Sequence, residues 1–165
     1  MQSNYDNIFT KEEIAEIEKI IGYNFEDKRI LCKAFVHSSL AKEKGVASNE
    51  RLEFFGDRIL NFLVSEDLFF SVGGNEGVLK EELESRVSAA PLYDVIEKLD
   101  LYKFVKHSKN VEFEEKKISD LFEALLAAIY IDSRSFDPCK KLIKQIVPSK
   151  EENYIGKLRV LRKKQ

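Results

Sequence analysis

The stretch "NERLEFFGD", residues 49–57, sets the tightest condition on the fold. Apolar residues recur at Leu52, Phe55 and Ile59, and Asn49 stands where an N-cap belongs, so the spacing predicts a helix. Gly56 sits inside that helix, where glycine costs about 1 kcal/mol relative to alanine. Glu53 and Asp57 flank it at i, i+4 on one face, and their charges repel. Close approach of a second helix would make use of the missing side chain, and a cation would make use of the paired carboxylates.

The rest of the chain is patterned the same way. Thr10 with Glu13 forms a capping box, followed by an apolar stripe of Ile14, Ile17, Ile20 and Ile21 up to Gly22. A second helix is expected over 28–36, and "HSSLAKEKGVAS" reads as a loop. The helix begun at Asn49 runs to Phe70 and ends before Gly73-Gly74. "EGVLKEELESRVSAA" predicts another, Pro91 interrupts, and "LYDVIEKLDLYKFV" predicts one more. Residues 106–115 carry no period, whereas "KKISDLFEALLAAIYID" is apolar enough to be central. Asp137-Pro138 opens a last amphipathic helix that Pro148 ends. With strand signals weak throughout, the expected architecture is all-α, of seven to nine helices.

The central helix supplies a second acid pair, Asp120 and Glu123, at i, i+3. Ala124, Ala127 and Ala128 follow it and would let a neighbour approach closely. If this helix crosses the first at Gly56, four carboxylates converge, and they cannot all stay ionised without cations. Oxygen-only sites of this kind suit magnesium or manganese. Other pairs, such as Glu12–Glu16 and Glu81–Glu84, lie in polar surroundings and read as solvated.

Charge narrows the choice of function. The formal net charge is −2, but 9 of the 27 Lys+Arg fall in residues 140–165 with only 2 of the 29 Asp+Glu. The body is therefore acidic and the end basic, which argues against a simple electrostatic nucleic-acid binder. Cys32 and Cys139 form no disulfide framework and no zinc spacing, so a reducing, intracellular and cytoplasmic setting is expected. No apolar run reaches membrane-spanning length.

Three blocks carry a family resemblance. "NERLEFFGDRIL" resembles the signature of the ribonuclease III family, N-E-R-L-E-F-L-G-D-x-x-L. "SDLFEALLAAIYID" resembles that family's second block, A-D-x-F-E-A-x-x-G-A-I-Y-x-D, and "AFVHSSLAKE" resembles the stretch that precedes the signature. Phe55 departs from the usual leucine, Ser119 from alanine or glycine, and Ala127 from glycine. "KHSKNVEFEEKK" replaces a glycine-rich stretch.

The resemblance implies an all-α catalytic domain over residues 1–148, with 149–165 a basic tail or linker. "ENYIGKLRVLRKKQ" resembles the segment that leads into a double-stranded-RNA-binding domain in most bacterial members. It implies an endonuclease of double-stranded RNA that uses Mg2+, with Mn2+ as substitute. Glu53, Asp57, Asp120 and Glu123 would be the catalytic, metal-binding carboxylates. It also implies a homodimer, cutting once per strand, with Phe54 at the dimer interface. Glu50 would be a further acid near the cleft, and Lys116 and Lys117 could meet RNA phosphate. His37 and His107 are not needed by a carboxylate–metal mechanism. The rival is a member that has lost catalysis and serves as an RNA-binding or ribosome-associated module, against which the four intact acids argue.

Overall fold

The structure, a computed structural model, describes residues 5–109 and 115–146. Pro148 and the basic segment 149–165 lie outside the described residues. Among the described residues the regular structure is helical: α1 (Lys11–Ile21), α2 (Lys28–Ala34), α3 (Ser38–Lys44), α4 (Glu50–Ser71), α5 (Glu76–Val87), α6 (Ala89–Lys98), α7 (Glu115–Ser133) and α8 (Asp137–Ile146), with one 3-10 turn at Tyr102–Phe104. A lone parallel bridge joins Val36 to Lys106.

α7 is the axis of the core. Residues 124–129 are all buried to 1% exposure or less, and Leu121 and Phe122 with them. α2, α4, α6 and α8 pack around it. So complete a burial explains why this helix reads as apolar on nearly every face. The capping box at Thr10 forms in both directions, and Gly22 closes α1 in the left-handed conformation.

Three local expectations are corrected. The stretch read as a loop after His37 contains α3, seven residues long. Its apolar positions are too few to show a period, and its two ends hold it: His37 accepts from the Ser39 N–H, and Gly45 takes a left-handed φ of 67°. Asn49 does not cap α4. It is itself in the right-handed helical region, makes no side-chain cap bond, and donates its N–H to the Val36 carbonyl at 2.9 Å. Pro91 does not interrupt a helix either. It lies in the first turn of α6, where a missing N–H costs nothing, and the break falls at the extended Ser88.

Candidate active site

Gly56 decides how α4 and α7 meet. A Cβ built on it would lie 1.7 Å from the carbonyl oxygen of Glu123 and 2.4 Å from its carbonyl carbon. The two backbones therefore touch where a side chain would stand, at the residue that carries the acid. The conformational cost of glycine in α4 is offset by this approach, which no other residue permits.

That crossing brings the acids together. Glu53 of α4 and Asp120 and Glu123 of α7 each offer a carboxylate oxygen within 4.8 Å of the other two. Asp57 stands beside this trio, near enough to repel Glu123. Its own carboxylate is held by Asn61, whose Nδ2 donates to Oδ1 at 2.7 Å, and by Arg58 at 3.0 Å. Burial, then the charges of Asp57, Asp120 and Glu53, push the Glu123 carboxyl up to about 8. At neutral pH and without a counter-charge this acid keeps its proton. The donor set is all carboxylate oxygen, crowded with negative charge, and fits a hard divalent cation.

A cleft of about 410 Å³ opens beside the trio, lined by His37, Glu50, Glu53, Lys117 and Asp120, with Ser38 and Asn49. Glu50 is exposed and accepts from Ser48 Oγ at 2.8 Å. Of the two lysines expected near RNA, Lys117 lines this cleft. The side chain of Lys116 lies outside the described residues. Burial, with Lys117 and His107 adding to it, holds the His37 imidazole below the ordinary histidine value. Phe54 is not a core residue. It is 68% exposed and carries the Arg58 guanidinium over its ring at 5.6 Å.

Sequence reasoning missed Asn61 and set His37 aside. Asn61 had a visible signal, since it stands at i+4 from Asp57 on the same helix. His37 stands in the block "AFVHSSLAKE" that carries part of the resemblance, but only the fold brings residues 37 and 117 to one cleft.

A helical domain with a carboxylate centre at the crossing of its two core helices is thus defined. Residues 27–150 match the Ribonuclease-III-like family model. The chain is 38% identical over 125 residues to ribonuclease 3 of Clostridium kluyveri, a match covering 72% of this chain and 51% of that protein. It is also 38% identical to ribonuclease 3 of Allorhizobium ampelinum, covering 75% and 54%. Among solved structures it resembles the nuclease domain of ribonuclease III from Campylobacter jejuni, with a TM-score of 0.74 and 29% identity over 82% of this chain and 99% of that one. That nuclease domain is described as flexible in a region involved in dimer formation. The chain belongs to the ribonuclease III family, and its fold is that of the family's nuclease domain. It spans about half the length of the curated relatives it matches.

Proposed function

We propose that this domain is a divalent-metal-dependent endonuclease of double-stranded RNA, acting as a homodimer with one cut per strand. The observation that carries the reading is the convergence of Glu53, Asp120 and Glu123 within 4.8 Å, at a crossing only Gly56 allows, in a chain of this family. Residues 1–148 form the catalytic domain in this reading and 149–165 a basic tail or linker.

Glu53, Asp120 and Glu123 would hold Mg2+, or Mn2+ in its place, and Asp57 would complete the catalytic set. When bound, the cation supplies Lewis-acid chemistry at a phosphodiester. The chain's residues supply the rest. Glu123 would have to release its proton to solvent before it could serve as a ligand, so cation binding and deprotonation would be coupled. Asn61 and Arg58 fix the Asp57 carboxylate at the edge of the trio. Glu50 and Lys117, on the cleft wall, would contact the RNA, and Lys116 is proposed with them. The wide minor groove of A-form RNA suits recognition by shape and backbone rather than by sequence.

Phe54, Phe62, Phe69 and Phe70 support the dimer, since all four are more than half exposed along α4. A cytoplasmic setting belongs to the same proposal. Cys32 and Cys139 are both buried thiols, pushed by burial to about 12, and they form no disulfide.

Incubation with long duplex RNA tests the reading. Cleavage in Mg2+ that stops on chelation is expected, and undiminished cleavage in excess chelator overturns it. Sedimentation tests assembly: a dimer at micromolar concentration is expected, with Phe54→Ala weakening association by about 2–4 kcal/mol.

A further inference from the structure

The cleft beside the acids holds a histidine that the carboxylate–metal reading leaves unused. His37 shares this cleft with Lys117, Glu50, Glu53 and Asp120. Its backbone is pinned: the His37 N–H donates to the Lys106 carbonyl at 3.0 Å, and the Lys106 N–H donates to the Phe35 carbonyl at 2.8 Å. Its ring is pinned too. The Ser39 backbone N–H donates to Nδ1 at 3.2 Å, and Ser39 Oγ lies 2.9 Å from the same nitrogen. Ser39 Oγ accepts from the Ser108 N–H at 3.1 Å, which leaves the hydroxyl's own proton to donate to Nδ1. Two donors on Nδ1 place the ring proton on Nε2.

A phosphodiester entering a cleft with three carboxylates needs positive and hydrogen-bond-donating groups on the same walls. Lys117 supplies charge. A hydroxyl such as that of Ser38 rotates, whereas His37 offers a donor whose proton position is set beforehand. Such preorganised donors lose little freedom when they bind.

We propose that His37 binds the RNA backbone, its Nε2–H donating to a non-bridging phosphate oxygen of the strand that enters this cleft. The inference rests on the nuclease reading above. Two substitutions separate this role from the capping of α3. His37→Asn keeps a short acceptor for the Ser39 N–H, as a good N-cap does, and has no group at the Nε2 position. His37→Gln places an amide N–H near Nε2 and forgoes the short cap. Steady-state cleavage of a duplex RNA in Mg2+ is read beside the thermal midpoint. His37→Asn should raise KM by about tenfold, with kcat within about threefold of the parent and little change in Tm. His37→Gln should recover much of that affinity while losing Tm. His37→Asn with the parent's KM, or losses that follow the order of Tm, would overturn the proposal. If the unmodified chain does not cut, the nuclease reading fails separately, and binding of the same duplex decides. A roughly tenfold weaker His37→Asn then upholds the phosphate contact. Equal affinity overturns it, and no binding by the unmodified chain overturns both.

Discussion

Glu123 and Asp132 lie on the same helix, α7, in opposite surroundings. Asp132 is ringed by donors: the Tyr23 hydroxyl at 2.8 Å and the backbone N–H groups of Glu26 and Asp27, each at 2.9 Å. Burial and this contact push the Tyr23 hydroxyl up to about 12. These bonds fasten the α1–α2 connection to the end of α7. Glu123 is instead pressed against a backbone and faced by Asp57, Asp120 and Glu53. One carboxylate is stabilised by what the fold provides, and the other is destabilised by it. A fold that holds like charges together at a buried crossing stores a demand for a cation, whereas donors around a carboxylate meet the demand locally.

The largest effect that tests this contrast is on cleavage. Glu123→Gln keeps the size of the side chain but removes its charge from the trio. Single-turnover cleavage of duplex RNA in Mg2+ should fall by about a thousandfold, or about 4 kcal/mol, while the duplex still binds. Asp132→Asn should leave the rate close to the parent's. A Glu123→Gln protein cutting at the parental rate would break the contrast outright.

Next in size is the crossing itself. Gly56→Ala should cost about 3 kcal/mol, the upper end of the range for overpacking, because backbone rather than a flexible side chain must move. Gly73 is the control. A Cβ there meets nothing within 4 Å, so Gly73→Ala should stay within about 0.5 kcal/mol. Denaturant midpoints at a common slope measure both, and equal midpoints would show that α4 and α7 have room to spare.

Asp132→Asn follows. One amide oxygen cannot serve the hydroxyl and two N–H donors with a full negative charge, so about 1–2 kcal/mol of stability should go. The loss should appear in the unfolding midpoint and not in kcat.

How much of this was legible beforehand depended on whether the cause was local. Gly56 with Glu53 and Asp57 conflicts with helix propensity on its face, and a conflict that survives in a sequence points to a tertiary reason. The alanines after Glu123 named the partner helix. α3 was illegible because seven residues with few apolar positions owe their helix to the caps at each end. Asn49 misled because a capping residue type says nothing about whether its backbone is needed elsewhere, here by Val36. The exposure of Phe54 was hidden from the period alone, which on a helix with apolar residues on several sides does not separate a core face from an interface; the resemblance supplied the interface position. Asp57 was legible as an acid on the right face. Its ties to Asn61 and Arg58, which set it beside the trio and not within it, depend on rotamers that no spacing records.

The smallest effect is the most specific to the contrast. An acid whose folded pKa is raised binds its proton more tightly folded than unfolded, so its presence costs stability as pH rises. For Glu123 the penalty is absent below the ordinary glutamate value of 4.5, grows above it, and is complete once pH passes about 8. Glutamine has no proton to lose and escapes the penalty. In chelator, the Tm of Glu123→Gln should therefore exceed the parent's by an amount that is small near pH 4.5 and levels off above pH 8. Because the side chain is only partly screened from water, a shift of a few degrees is expected rather than the full linkage value. Added Mg2+ should reverse the order, since the parent's charged trio then gains a ligand-binding term that the variant has largely lost. The cation must displace the Glu123 proton, so its apparent affinity for the parent should weaken by up to about tenfold per pH unit below 8. A Tm difference independent of pH in chelator would mean that Glu123 is not under the strain its neighbours imply, and its likeness to Asp132 would then outweigh the contrast.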